Sequence, residues 1–239
     1  MSTQTITRKH TADCMHRVVD HASKCRNIHG HLYVFEMTFA FNNTEKIGYK
    51  VDFAEIKRLA CTWIDDYWDH GALINPKDEV MLRTCRELDS KTWIMSLAGE
   101  EYCNPTAENI AKELFMVLEI LFEDFEGLEP LQVKLFETPK CWTDCYGDSI
   151  DSDEEEKFYD KRYDEIKRFV KKMGKVEYDV RNIKQNNNNN NNNNSRRTIK
   201  KSHGVDPKKQ EAAKNAAAVV AAKKDIFTPP KEPEFGEKI

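Results

Sequence analysis

From His31 to Phe41 the chain alternates: His31, Tyr33, Phe35, Met37, Phe39 and Phe41 share one parity, while Glu36 and Thr38 share the other. A side-chain period of two sustained over this length is that of a β-strand with one buried face. Asn42-Asn43 ends it. Such a strand needs neighbours along its edges and a layer of structure over its apolar face.

The flanking segments supply both. Residues 3–13, with Thr5, Ile6 and Thr7 leading to His16, read as a first strand. Leu131, Val133, Leu135 and Glu137 alternate in the same way, so Glu137 ends a core-facing row. An apolar segment begins at Tyr49 and passes into a helix near Asp52, whose carboxylate caps free amides, with Glu55 three positions on. Phe53, Ile56, Leu59, Trp63 and Tyr67 mark one face of this helix, which stops before Gly71. A second helix starts at Asn104-Pro105-Thr106 with Thr106 as its cap. It carries Ile110, Leu114, Val117, Leu118, Leu121 and Phe125 as an apolar stripe, and Gly127 and Pro130 close it. Between the two lies a polar insertion, residues 76–104, with a short helical pattern at 80–88 and an apolar patch at Trp93-Ile94-Met95. The expected fold class is α+β, with antiparallel strands and two helices on one face, spanning residues 1–147.

Charged residues make up 33% of the chain and the mean hydropathy is −0.74, too polar for one core throughout. Residues 1–147 hold 16 Lys+Arg against 24 Asp+Glu, a balance of −8, whereas 148–239 hold 21 against 17, a balance of +4. From 148 to 185 an acidic run, Asp151 to Glu156, leads into a charged helical extension whose Phe158, Ile166, Phe169 and Val170 are too few for a core of their own, so it is solvated or docked. Nine consecutive asparagines at 186–194 mark a disordered linker, and 186–239 reads as a low-complexity, basic and Ala-rich tail. The longest apolar stretch, around Leu114 to Phe122, is broken by Glu119, and no charged segment followed by an apolar one opens the chain. Neither secretion nor membrane spanning is indicated, which places the chain in the cytoplasm. Seven irregularly spaced cysteines fit reduced thiols there.

The chemistry concentrates at Cys25-Arg26-Asn27-Ile28-His29-Gly30-His31. In an extended segment His29 and His31 point the same way and can hold one ion, with Gly30 between them adding no side chain to crowd it. His16 is the candidate third ligand, because a strand pairing with 31–41 brings it alongside; His10 and His21 are rivals on composition alone. Three imidazoles would leave a catalytic zinc one open position, while histidines satisfied by ordinary hydrogen bonds are the alternative. Cys25 admits three readings: a thiolate acting as base or nucleophile, a further ligand in a closed structural site, or an inert thiol, the reading applied to Cys61 and Cys85. Asp69-His70 can form a pair in which the carboxylate orients the imidazole, provided the backbone turns there, and Gly71 offers a place for that turn. A helix-terminal histidine favoured by the dipole is the alternative. Glu137, inward on its strand, wants donors such as the two N–H groups of an amino-pyrimidinone edge, unless it twists out to solvent.

Taken together, these segments resemble the 6-pyruvoyltetrahydropterin synthase superfamily, most closely its 6-carboxytetrahydropterin synthase branch. The resemblance rests on Lys24-Cys25 with CxxxHGH, on Val51-Asp52-Phe53-Ala54-Glu55-Ile56-Lys57, on Asp69-His70, on Asn104-Pro105-Thr106-Ala107-Glu108-Asn109 and on Glu137-Thr138-Pro139. It covers most of residues 5–147 apart from the insertion. It implies His16, His29 and His31 as zinc ligands, Cys25 as the catalytic thiol with Asp69 and His70 as proton-relay partners, Glu137 as the anchor of a pterin ring and Thr106 as a residue near that ring. The three residues between Cys25 and His29 match the carboxytetrahydropterin type, which acts in 7-deazapurine (queuosine-type) synthesis. The implied fold is the tunnelling, or T-fold, subunit, assembled into a barrel and commonly a hexamer. The alternatives are 6-pyruvoyltetrahydropterin synthase activity, or a structural-zinc binding module whose basic segment, Ser195 to Lys209, contacts nucleic acid. Solvated charge is the favoured reading of that segment, since Arg196, Arg197, Lys200 and Lys201 are not interleaved with aromatics.

Overall fold

The computed structural model describes residues 4–97 and 103–174. The asparagine run, the basic segment and the Ala-rich stretch lie outside the described residues.

In chain order the elements are β1 (Gln4–His16), β2 (His29–Phe41), α1 (Phe53–Ile56), one π-helical turn (Lys57–Cys61), α2 (Thr62–Tyr67), β3 (Gly71–Ile74), α3 (Glu79–Glu87), β4 (Thr92–Ile94), α4 (Ala107–Phe122), β5 (Leu128–Thr138), β6 (Cys141–Tyr146) and α5 (Ser152–Met173). The strands form one sheet in the order β4-β3-β1-β2-β5-β6. β1, β2, β5 and β6 pair antiparallel in sequence. The alternation seen in β2 holds: Tyr33, Phe35, Met37 and Phe39 are fully buried. β6 was not foreseen; it follows β5 across a tight turn at Pro139-Lys140.

The sheet is mixed and not purely antiparallel as expected. β3 runs parallel to β1 at Cys14 and Met15, and β4 runs parallel to β3. Parallel neighbours require a crossover, and α3 provides it. Residues expected to form a mere insertion therefore build the sheet edge and part of the core, with Trp93 and Met95 buried.

The first helix also departs from a simple stripe. Asp52 caps it, its carboxylate accepting from the Ala54 N–H at 2.8 Å. The π turn then inserts extra winding, so the buried residue at the far end is Trp68, and Phe53 at the near end is half exposed. α4 is capped by Thr106, which accepts from the Asn109 N–H, and it is apolar nearly all round: Met116 and Ile120, off the expected stripe, have no exposed surface.

α5 covers that second face. Its Phe158, Ile166 and Phe169 are buried, and along its length Lys112 pairs with Glu154 at 2.8 Å and Lys167 with Asp124 at 3.0 Å. Arg162 reaches the inserted segment, donating to the Ile94 carbonyl at 2.6 Å and to Ser96 Oγ at 2.8 Å, with its guanidinium 3.9 Å from the Trp93 ring centre. Beneath them the buried Glu113 accepts from Trp93 Nε1 at 2.6 Å and from the Ser96 N–H. Burial lifts its carboxyl to about 7 despite those donors. No helix among the described residues is long and apolar enough to cross a membrane.

Candidate active site

The register of β1 on β2 sets His16 opposite His29. Residues directly opposite in an antiparallel pair share a face, so His16 joins the two same-face histidines of β2. The ring centres of His16 and His29 are 4.4 Å apart, those of His16 and His31 5.2 Å, and those of His29 and His31 5.1 Å. One nitrogen from each lies within 4.8 Å of the others. Gly30 serves this pairing in an unexpected way: a Cβ there would lie 3.1 Å from the Cys14 carbonyl oxygen, so the glycine lets the β1 backbone approach.

Two of the three rings are oriented from behind. His16 Nδ1 donates to the Pro105 carbonyl at 2.6 Å, and His29 Nδ1 donates to the Asn27 carbonyl at 2.7 Å. A carbonyl only accepts, so the proton sits on Nδ1 and Nε2 keeps its lone pair. Burial pushes the His16 imidazole below its ordinary value, against the pull of Pro105, which leaves it neutral as a metal ligand must be. The Tyr33 hydroxyl, 3.2 Å from His16 Nε2, forms the floor.

Glu137 closes one side. A register shift between Phe136 and Thr138 leaves it on a bulge of β5, and bulges re-aim side chains. Its Oε1 lies 3.7 Å from both His16 Nε2 and His31 Nε2. The carboxylate therefore faces the triad.

Residues 5–148 match the profile of the family described as 6-pyruvoyl tetrahydropterin synthase. The chain belongs to that family. A Rickettsia bellii protein named 6-carboxy-5,6,7,8-tetrahydropterin synthase is 39% identical over 144 residues, covering 58% of this chain and 96% of the relative. The Rickettsia conorii protein of the same name is 37% identical over 141 residues, with the same coverage. Among solved structures, an uncharacterized protein from Wolinella succinogenes superposes with a TM-score of 0.52 at 19% identity, over 62% of this chain and 99% of its own. That likeness speaks to the fold.

The remaining family motif residues fall in three places. Cys25 sits half-buried on a short 3-10 turn (Lys24–Arg26) just ahead of β2; it is not part of the ligand cluster. Asp69 and His70 do form a pair, His70 Nδ1 to Asp69 Oδ2 at 2.7 Å. The turn that permits it is at His70 itself, φ 56°, and not at Gly71. Gly71 is instead held by close approach, since a Cβ would lie 2.9 Å from the Trp68 carbonyl oxygen. Burial would raise the Asp69 carboxyl, but the Asp13 N–H and His70 hold it below its usual range. Lys91, from the inserted segment, braces this corner by donating to the Asp65 and Asp69 carbonyls at 2.7 Å each. The His70 side chain is 78% exposed and bonds Asp69, while the His70 backbone N–H donates to the Asp13 carbonyl at 2.8 Å. Thr106 is half-buried and occupied as the α4 cap.

Neither rival histidine joins the triad. His10 bonds Asp65 at 2.6 Å, and His21 accepts from the Ser23 N–H at 3.1 Å. The groups that sequence reasoning missed are the Pro105 and Asn27 carbonyls, invisible because every residue carries one, and the hydroxyl of Tyr33, counted only as core. A zinc bound by imidazole nitrogens at about 2.0–2.1 Å needs gathered rings with a nitrogen of each turned inward, and one nitrogen from each of these three lies within 4.8 Å of the others.

Proposed function

We propose that this chain is a zinc-dependent 6-carboxytetrahydropterin synthase: a lyase converting 7,8-dihydroneopterin triphosphate and one water into 6-carboxy-5,6,7,8-tetrahydropterin, acetaldehyde and triphosphate, in the cytoplasmic route to queuosine-type 7-deazapurines. The observation that carries the reading is the triad of His16, His29 and His31, gathered within 4.8 Å with Cys25 outside the cluster. A structural site is closed by a fourth protein ligand; this one leaves a position for substrate. Zinc, when bound, supplies Lewis acidity to the hydroxyls of the substrate side chain.

The protein's own residues do the rest. Glu137 offers two carboxylate oxygens to the paired N–H groups of an amino-pyrimidinone edge, a bidentate match that fixes the ring beside the triad, and Thr106 lies toward that ring. Cys25, as thiolate, takes a proton from the substrate side chain. Asp69 holds the Nδ1–H of His70, so His70 Nε2 is the group that moves a second proton. Because the His70 ring stands exposed, the pair serves the site of a neighbouring copy in this reading. The expected assembly is a homo-oligomer, a hexamer built from barrels.

The three-residue gap between Cys25 and His29 and the names of the Rickettsia relatives favour the carboxy over the pyruvoyl product. Purified protein incubated with dihydroneopterin triphosphate should release acetaldehyde and yield carboxytetrahydropterin by mass spectrometry. A pyruvoyl product, or none from metal-replete protein, would overturn the proposal.

A further inference from the structure

A cleft of about 500 Å³ borders the triad without belonging to it, between residues 17–21, which follow β1, and Arg26-Asn27, which precede β2. Its walls are tied to the site at three points. Asn27 supplies the carbonyl that orients His29. The Val19 backbone is clamped by the Asn104 side chain, N–H to Oδ1 at 2.9 Å and carbonyl to Nδ2 at 3.1 Å, and the next residue, Pro105, orients His16. The Val18 N–H donates to the Cys25 carbonyl at 2.9 Å, so the cleft shares a strut with the turn that carries the cysteine. These bonds hold cleft, triad and thiol in a fixed relation.

The groups that face the cleft are mostly donors. Arg17 is fastened through Nε and Nη2 to the buried carboxylate of Asp78, which keeps it ionised and aims it while neutralising much of its charge. Asp78 belongs to the inserted segment and also caps α3, accepting from the Met81 N–H. Arg26 is exposed and has no side-chain partner among the described residues. In His21, Nδ1 accepts from the Ser23 N–H at 3.1 Å; the neutral ring therefore carries its proton on Nε2 as a free donor. Asp20 is the single carboxylate on the wall.

We infer that this cleft is a polyphosphate subsite that takes the triphosphate arm of the substrate, with Arg26 as its uncompensated cation and Arg17 and His21 as further donors. Guanidinium forks match phosphate oxygens. The ties through Asn27 and the Val18–Cys25 strut put the cleft beside the triad and the thiol, where the arm that extends from the substrate side chain would lie. The identity of the arm rests on the reaction proposed above; the anion site rests on the cleft.

Inorganic tripolyphosphate titrated calorimetrically into the full-length protein tests the subsite, alongside steady-state kinetics with dihydroneopterin triphosphate. The wild type is expected to bind tripolyphosphate. Arg26→Ala should weaken binding by about tenfold or more, the loss of one charge-assisted hydrogen bond (~1.4 kcal/mol); Arg26→Lys should recover part of it. In turnover the loss should fall on KM. Equal affinity in wild type and Arg26→Ala overturns the subsite, as does a wild type that binds no tripolyphosphate. Protein that binds the anion through Arg26 yet makes no carboxytetrahydropterin keeps the subsite and removes the reaction. Protein that makes the product with a KM indifferent to Arg26→Ala does the reverse.

Discussion

Replacing Phe158 by Ala probes whether α5 is part of the folded unit. Phe158 and Ile166 have no exposed surface and Phe169 is 3% exposed, although the family match ends at residue 148. Deleting a fully buried phenyl ring loses its transfer energy and leaves a cavity, together about 3–5 kcal/mol. A domain of ordinary stability has about 5–15 kcal/mol in all, so losing all three side chains would consume most of it. A chain cut after Gly147 should therefore be unfolded or insoluble, whereas one cut after Gly174 should keep its fold. Urea unfolding of full-length protein and Phe158→Ala, followed by far-UV circular dichroism, measures the difference as a midpoint shift at constant slope. At about 2–4 °C per kcal/mol for a domain of this size, the melting temperature should fall by about 6–20 °C. A loss below about 1 kcal/mol, within reach of a surface substitution, would show α5 to be a solvated appendage and refute the packing argument.

Cys25→Ala should retain one zinc per chain by elemental mass spectrometry while product formation ceases; loss of the metal would put the thiol back among the ligands. His29→Ala, by contrast, should lower zinc content itself. Glu113, raised by burial from 4.5 to about 7, keeps its proton in the fold between those values while the unfolded chain has released it. Its contribution is therefore full below pH 4.5 and declines by about 3 kcal/mol as pH rises to 7. Glu113→Gln should flatten that part of the stability profile, and identical profiles would count against the burial argument. Gly71→Ala drives a Cβ against the Trp68 carbonyl and should cost about 1–3 kcal/mol; an unchanged urea midpoint would mean that the corner yields.

Much of the core was legible because its cues are local. The parity of β2, the cap at Thr106 and the stripe of α4 each depend on residues within one or two turns of each other, and each stands where expected. The docking of α5 had an available signal: Met116 and Ile120 make α4 apolar beyond one stripe, and a helix apolar all round must be covered on every side. The parallel pairing of β3 with β4 had none, for strands of four and three residues carry too little pattern to declare a partner.

The candidate site divides along the same line. The common direction of His29 and His31 follows from strand geometry alone; the inward row that Glu137 ends is legible in the same way, but the bulge between Phe136 and Thr138 decides its final aim. That His16 completes the triad was decided by a register linking two strands along their whole length. The Nδ1 partner of His16 is a helix-start carbonyl 89 positions away that only packing could bring near, whereas that of His29 is the carbonyl of Asn27, two residues back in its own segment. The left-handed turn at His70 pairs the ring with Asp69, whose other oxygen takes the Asp13 N–H of β1, a contact that packing supplies. Backbone geometry fixes periodicity within a segment and is written in the sequence at short range. Which segments meet, and which polar groups then face one another, depends on how distant surfaces pack, and only the tertiary structure decides that.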